Sequence, residues 1–154
     1  MSTKSNSTRV QILRHAMFKT RSMLKIDTSY GYGRDENECR TFLNIAPGEN
    51  RKYNWQEGRI SFMLSVAELA QIKRLFSGKI SDNKVFFTHK GQDNNGPSKT
   101  LSITKSDDGT KYWVNLQITG GPKVSSFLSV DLGEPEIIEE YVTEAIKASL
   151  KAKF

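Results

Sequence analysis

The chain has 154 residues, of which 36% are hydrophobic, 10% aromatic and 26% charged, with a net charge of +6 and a pI near 9.4. That length and composition fit one folded domain with a real core, not a disordered polymer. No apolar run approaches the roughly 18 residues a membrane-crossing helix needs, and the N-terminus lacks the apolar stretch of a secretory signal. A single cysteine, Cys39, excludes an intrachain disulfide and suggests a reducing compartment. Together with only His15 and His89 it argues against a zinc site, and no cofactor is expected.

The charge is concentrated. Lys4, Arg9, Arg14, Lys19, Arg21 and Lys25 fall within the first 25 residues, which hold no acid, while the other 17 basic residues are matched by 17 acids. Such a segment suits a polyanionic partner, because each neutralised phosphate releases counterions. A solubilising tail is the plain alternative.

In chain order, residues 1–8 read as a flexible polar tail and residues 9–154 as one domain. Strands are expected at about Val10–Phe18 and Arg21–Asp27, then a loop over residues 28–39 and a third strand at Arg40–Ala46. Pro47-Gly48-Glu49-Asn50 reads as a turn. Ile60, Phe62 and Leu64 alternate with Arg59, Ser61 and Met63, which marks a half-buried strand. Ser65 and Glu68 form a capping box that opens a helix with Leu69, Ile72 and Phe76 inward and Ser77-Gly78 at its end.

Four further strands follow at about Lys84–His89, Lys99–Lys105, Thr110–Thr119 and Lys123–Val130. Asp107-Asp108-Gly109 and Gly120-Gly121-Pro122 supply turns, and Asp93–Pro97 a loop. A C-terminal helix spans about Glu134–Lys151, with Pro135 in its first turn, acids at its start and Lys147 and Lys151 near its end. Its apolar residues Ile138, Tyr141, Val142 and Ala145 are expected to pack on the core or to form an oligomer contact. The class is α+β: two ββββα-type halves with antiparallel sheets of about four strands.

An ordered set of segments resembles the Whirly family of single-stranded-DNA-binding proteins. It comprises Phe42-Leu43-Asn44-Ile45-Ala46-Pro47, Glu49-Asn50-Arg51-Lys52-Tyr53-Asn54-Trp55, Ile60–Ser65, Phe86-Phe87-Thr88-His89, Lys99–Ile103 and Asp107 through Leu116. The likeness covers about residues 40–150. Upstream, Phe18-Lys19-Thr20-Arg21-Ser22-Met23-Leu24 stands where the family carries Lys-Gly-Lys-Ala-Ala-Leu-Ser. Lys19, Arg21 and Leu24 match in type, Thr20 replaces the glycine, and the chain is shorter between residues 27 and 40. The resemblance implies two four-stranded sheets packed crosswise, helices at a homo-oligomer interface (tetramer or dimer), and binding of single strands with little sequence preference. The wider superfamily includes the transcriptional coactivator positive cofactor four.

The residues point the same way by themselves. Sequence-neutral binding of single strands needs cations for the backbone and flat rings on which bases stack. Arg51, Lys52, Tyr53 and Trp55 set two cations beside two aromatics, although the rings could equally anchor a loop. Trp113 sits on the polar face of its strand with Lys111, Asn115 and Gln117; stacking on a base and packing against a neighbour are equally open. Phe86 and Phe87 point to opposite faces, so one is exposed, and Phe127 resembles Trp113 in sharing a face with serines. Lys19, Arg21 and Lys25 alternate and could track phosphates. Arg59 and Lys99 complete the set of candidate nucleic-acid contacts, while His89 reads as structural. No phosphate loop, dinucleotide motif or nucleophile–base pair is present, so a non-enzyme is expected.

Three functions are therefore open. The first is single-stranded DNA binding in replication, recombination or repair. The others are an RNA-binding or annealing module of the same fold, and a transcription coactivator working mainly through protein contacts. The expected location is intracellular, in cytoplasm or nucleoid, in a host cell if the source is viral, or in an organelle.

Overall fold

The computed structural model describes residues 10–31, 38–79, 83–90, 97–119 and 124–152. The expected tail at residues 1–8, residues 32–37 and 91–96 of the two long loops and the turn at residues 120–122 lie outside them. The first sheet sets β1 (Val10–Phe18), β2 (Ser22–Tyr30), β3 (Cys39–Glu49) and β5 (Ile60–Leu64) side by side, all antiparallel. The two-residue strand β4 (Lys52–Tyr53) folds back on the end of β3. The second sheet sets β6 (Lys84–His89), β7 (Ser98–Lys105), β8 (Tyr112–Thr119) and β9 (Val124–Val130) in chain order. The helices are α1 (Trp55–Gly58), α2 (Val66–Phe76) and α3 (Glu134–Ala152).

Period-two alternation explains the layering. Leu24, Ile26, Leu43, Ile45, Ile60 and Phe62 form the inner face of the first sheet, and Phe87, Leu101, Ile103, Val114, Leu116 and Leu128 that of the second. Leu69, Ile72, Leu75 and Phe76 of α2 join the same core, and α2 packs against α3. Each such side chain contributes about 1.5–3 kcal/mol on burial, so single truncations remove much of a small domain's net stability.

Local chemistry sets the ends. Ser65 Oγ accepts the Glu68 N–H at 3.1 Å while Glu68 Oε1 accepts the Ser65 N–H at 2.9 Å, so the expected capping box is present. Gly78, with φ +75°, terminates α2. Three expectations need correction. The turn signal at residues 47–50 does not end the strand: β3 runs through Pro47 and Gly48 to Glu49, and the turn is the two-residue Asn50-Arg51, both with positive φ. Gly48 is needed there, because a Cβ would lie 2.5 Å from Lys52 O. The supposed loop over residues 28–39 is shorter at both ends, since Thr28, Ser29 and Tyr30 pair with β3. The one-turn helix α1, capped by Asn54, carries no apolar periodicity that would have signalled it.

The third correction concerns α3. Ile138, Tyr141, Val142 and Ala145 are at most 8% exposed and belong to the protomer's own core, so their side chains are not free for a second copy. Tyr141 Oη lies 2.8 Å from Thr28 Oγ1, fastening the helix to β2, and burial pushes its phenol well above the usual range. The exposed apolar residues of α3 are instead Ile137 and Leu150. Among the described residues no helix is long and apolar enough to cross a membrane.

Candidate nucleic-acid interface

The second sheet turns a polar, aromatic face outward. Strand pairing sets Lys84, Thr104, Trp113 and Ser129 in one row across it, and Phe86, Ser102, Asn115 and Phe127 in the next. Phe86, Trp113 and Phe127 are 58%, 42% and 63% exposed, whereas Phe87 on the opposite face is buried. With strands about 4.8 Å apart, Phe86 and Phe127 mark the two edges and Trp113 lies between them, one row along. Lys84 Nζ lies 5.4 Å from the Phe86 ring centre and Lys111 Nζ 5.2 Å from that of Trp113. Cations beside exposed rings keep both phosphate attraction and stacking surface on one plane.

A second cluster lies on the outer side of the first sheet. Trp55 opens α1, and its ring is flanked by Lys25 Nζ at 5.5 Å and the Arg59 guanidinium at 4.8 Å. Beneath it, Asn44 bridges strands, donating to Lys25 O and to Asp27 Oδ2, both at 3.3 Å. Beside Trp113 and Phe127 runs a shallow groove of about 390 Å³, bordered also by Lys19, Arg21 and Pro47. Arg21 is exposed there, and Ser22 Oγ donates to Phe127 O at 2.9 Å, tying the two sheets together beside it.

Several candidates take other places. Lys19, Arg21 and Lys25 do not form one stripe, because Lys19 and Arg21 precede β2 and only Lys25 belongs to it. Lys19 Nζ is held 2.6 Å from Glu134 Oε1 and 3.7 Å from Asp131 Oδ1. Tyr53 donates its hydroxyl to Lys19 O and tilts its ring against Phe18, the loop-anchoring alternative. Lys99 lies on the strand face shared with Leu101 and Ile103, and its Nζ donates to Ser61 O at 2.9 Å, so it links the sheets. Arg51 and Lys52 are exposed at the tip and start of the β3–β4 hairpin. His89 is structural, stacked on Phe62 at 4.0 Å and bound to Glu68 at 2.8 Å. Asp108 is a turn residue, its Oδ1 accepting from Ser106 Oγ, Thr110 N–H and Thr110 Oγ1. Burial pushes the Cys39 thiol up, against a hydrogen bond from Ser149, which disfavours the reactive thiolate.

Two residues near these clusters were not singled out from the sequence. Lys84 was readable, since it alternates with Phe86 on a strand. Phe18, 51% exposed, reads in the sequence only as the end of the first strand and the start of the segment at residues 18–24.

The family model described as Whirly transcription factor matches residues 18–140. The chain belongs to the Whirly family. The matched span reaches upstream of the motifs at residues 40–150 and takes in the Lys19-Thr20-Arg21 turn, so it contains every cluster above. Nucleic-acid binding is the class of function that goes with a Whirly chain. Among solved structures, the fold resembles "the plant transcriptional regulator PBF-2" at TM-score 0.74 and 18% identity, covering 92% of this chain and 84% of that one. WHY3 from Arabidopsis thaliana gives 0.74 and 18%, with 92% and 90% covered, and WHY1 from Arabidopsis thaliana gives 0.73 and 18%, with 88% and 84%. At that identity these likenesses establish the Whirly fold and its two four-stranded sheets. No curated protein sequence matches the chain significantly.

Proposed function

We propose that this Whirly-family chain binds single-stranded DNA with little sequence preference, in replication, recombination or repair, and does so without catalysis. The observation that carries the reading is the outward face of the second sheet. Three large rings stand exposed there among Ser, Thr and Asn side chains, with Lys84 and Lys111 beside two of them. A group of exposed rings rimmed by polar side chains is the pattern of an interaction surface. Each base stacked on such a ring contributes about 1–3 kcal/mol, and stacking does not depend on base identity. Arg21, Lys25 and Arg59 extend the positive surface across the groove to Trp55.

Fluorescence anisotropy of a poly-dT strand of about 30 nucleotides, against duplex of equal length across a salt series, tests the reading. Tight, salt-sensitive binding confined to the single strand supports it; equal or negligible binding to both rejects it. A matched RNA strand in competition separates DNA from RNA. We also propose a homo-oligomer, with Ile137 and Leu150, exposed on opposite flanks of the buried stripe of α3, as apolar positions open to a second copy. Light scattering of Ile137→Glu and of Leu150→Glu tests it, since assembly through either flank requires the charge placed there to shift the mass downward.

A further inference from the structure

All three carbonyls of the turn between β1 and β2 are occupied by the β3–β4 hairpin. Tyr53 Oη donates to Lys19 O, the Arg51 N–H to Thr20 O at 3.1 Å and the Gly48 N–H to Arg21 O at 2.8 Å. The Lys19 side chain leaves the turn toward the start of α3. There its Nζ meets Glu134 Oε1 at 2.6 Å and Asp131 Oδ1 at 3.7 Å, with the Lys19 and Glu134 side chains only 26% and 24% exposed. The carboxylate is itself fixed, since Glu134 Oε1 also accepts the Asp131 N–H at 3.0 Å. The Lys19 side chain borders the groove, but its ammonium is set between two carboxylates that offset its charge. A phosphate brought there would add a third anion and displace a short ion pair.

We infer that Lys19 is a positioning residue and not a phosphate ligand: with Glu134 it locks the turn so that Arg21 is presented to the groove beside Trp113 and Phe127. The inference rests on the single-strand-binding reading above. It assigns the two basic residues of one short turn different roles, Lys19 paired with the carboxylates of Asp131 and Glu134 and Arg21 directed to the backbone of the strand.

The salt dependence of poly-dT binding separates the two roles. Each phosphate neutralised on a single strand contributes about 0.7 to the slope of log affinity against log salt. Arg21→Ala is expected to weaken binding and lower that slope by about 0.7. Lys19→Met is expected to weaken binding roughly three- to tenfold, the range for cutting one tie of a coupled network, and to leave the slope unchanged. Glu134→Ala is expected to weaken binding in the same way, and the Lys19/Glu134 double variant to be no weaker than the worse single one. If Lys19 is instead a ligand restrained by Glu134, then Glu134→Ala tightens binding and steepens the slope, which overturns the inference. A lower slope in Lys19→Met, or unchanged affinity, also overturns it. Glu134→Gln, which keeps an acceptor for Asp131, gives the same sign of effect should the alanine variant not fold. Failure of the wild-type chain to prefer the single strand would reject the underlying reading instead, and is seen before any variant is made.

Discussion

His89 Nε2 lies 2.8 Å from Oε2 of Glu68, whose other oxygen accepts the Ser65 N–H at 2.9 Å. One carboxylate therefore closes the start of α2 and reaches the end of β6 in the other sheet. Glu68→Ala removes both ties and is expected to cost about 2 kcal/mol, above the ~1 kcal/mol of a helix cap alone. His89→Ala should cost less, and the double variant should fall short of the sum because the ties share a partner. Urea denaturation measures all three, and strict additivity would show that the cap and the sheet contact act separately.

Trp113→Ala and Phe127→Ala are each expected to weaken poly-dT binding by about 1–3 kcal/mol. Their rings are 42% and 63% exposed, so the urea midpoint should hardly move. Phe87→Ala is the control on the same sheet. Its buried ring should cost about 3–5 kcal/mol of stability. Combining Trp113→Ala with Trp55→Ala, which removes one cation-flanked ring from each cluster, should weaken binding more than either change alone. Unchanged affinity in that double variant would remove stacking from the account.

Much of this was legible because the signals were local. Ser65 and Glu68 announce a cap through spacing alone, and Trp113 between Lys111 and Asn115 announces an outward ring through strand alternation. Contacts distant in sequence were not legible. Lys19 meets Glu134 across 115 positions and Lys99 meets Ser61 across 38, so both looked like free cations. Pro47-Gly48 misled for another reason. Turn residues are also tolerated where a strand needs close backbone approach, and Gly48 sits under Lys52 O. The stripe of α3 was visible, but periodicity cannot say whether the surface covering it comes from the same protomer.

Asp108 carries a pH prediction. Hydrogen bonds from the Ser106 hydroxyl first, then from the Thr110 N–H and hydroxyl, lower its carboxyl from 3.8 to about 2. A group with a depressed folded value favours the folded turn above its ordinary pKa and loses that contribution as pH falls through the folded value. The β7–β8 turn should therefore weaken between about pH 4 and pH 2. Asp108→Asn should remove this group's share of the acid-side loss. Side-chain carboxyl NMR during acid titration reads the midpoint directly, and an ordinary value near 3.8 would show that the three donors do not hold the anion.

Leu132 carries the last prediction. It sits between β9 and α3 with φ +53°, is 96% exposed, and is followed by Gly133 with φ +89°. A left-handed backbone costs a residue with a Cβ roughly 1–2 kcal/mol, and an exposed leucine recovers nothing by packing. Leu132→Asn should therefore raise stability by about 1 kcal/mol, because asparagine accepts this conformation through local hydrogen bonding. Leu132→Gly removes the same clash but frees the unfolded chain, which offsets about 0.5–1 kcal/mol, so its gain should be smaller. The urea midpoints should rank Asn above Gly above Leu. Affinity for poly-dT should stay constant, since Asp131 and Glu134 on either side keep their contacts with Lys19. A fall in stability for both variants would mean that the leucine is covered in the assembled protein, and the strain would then be the cost of that contact.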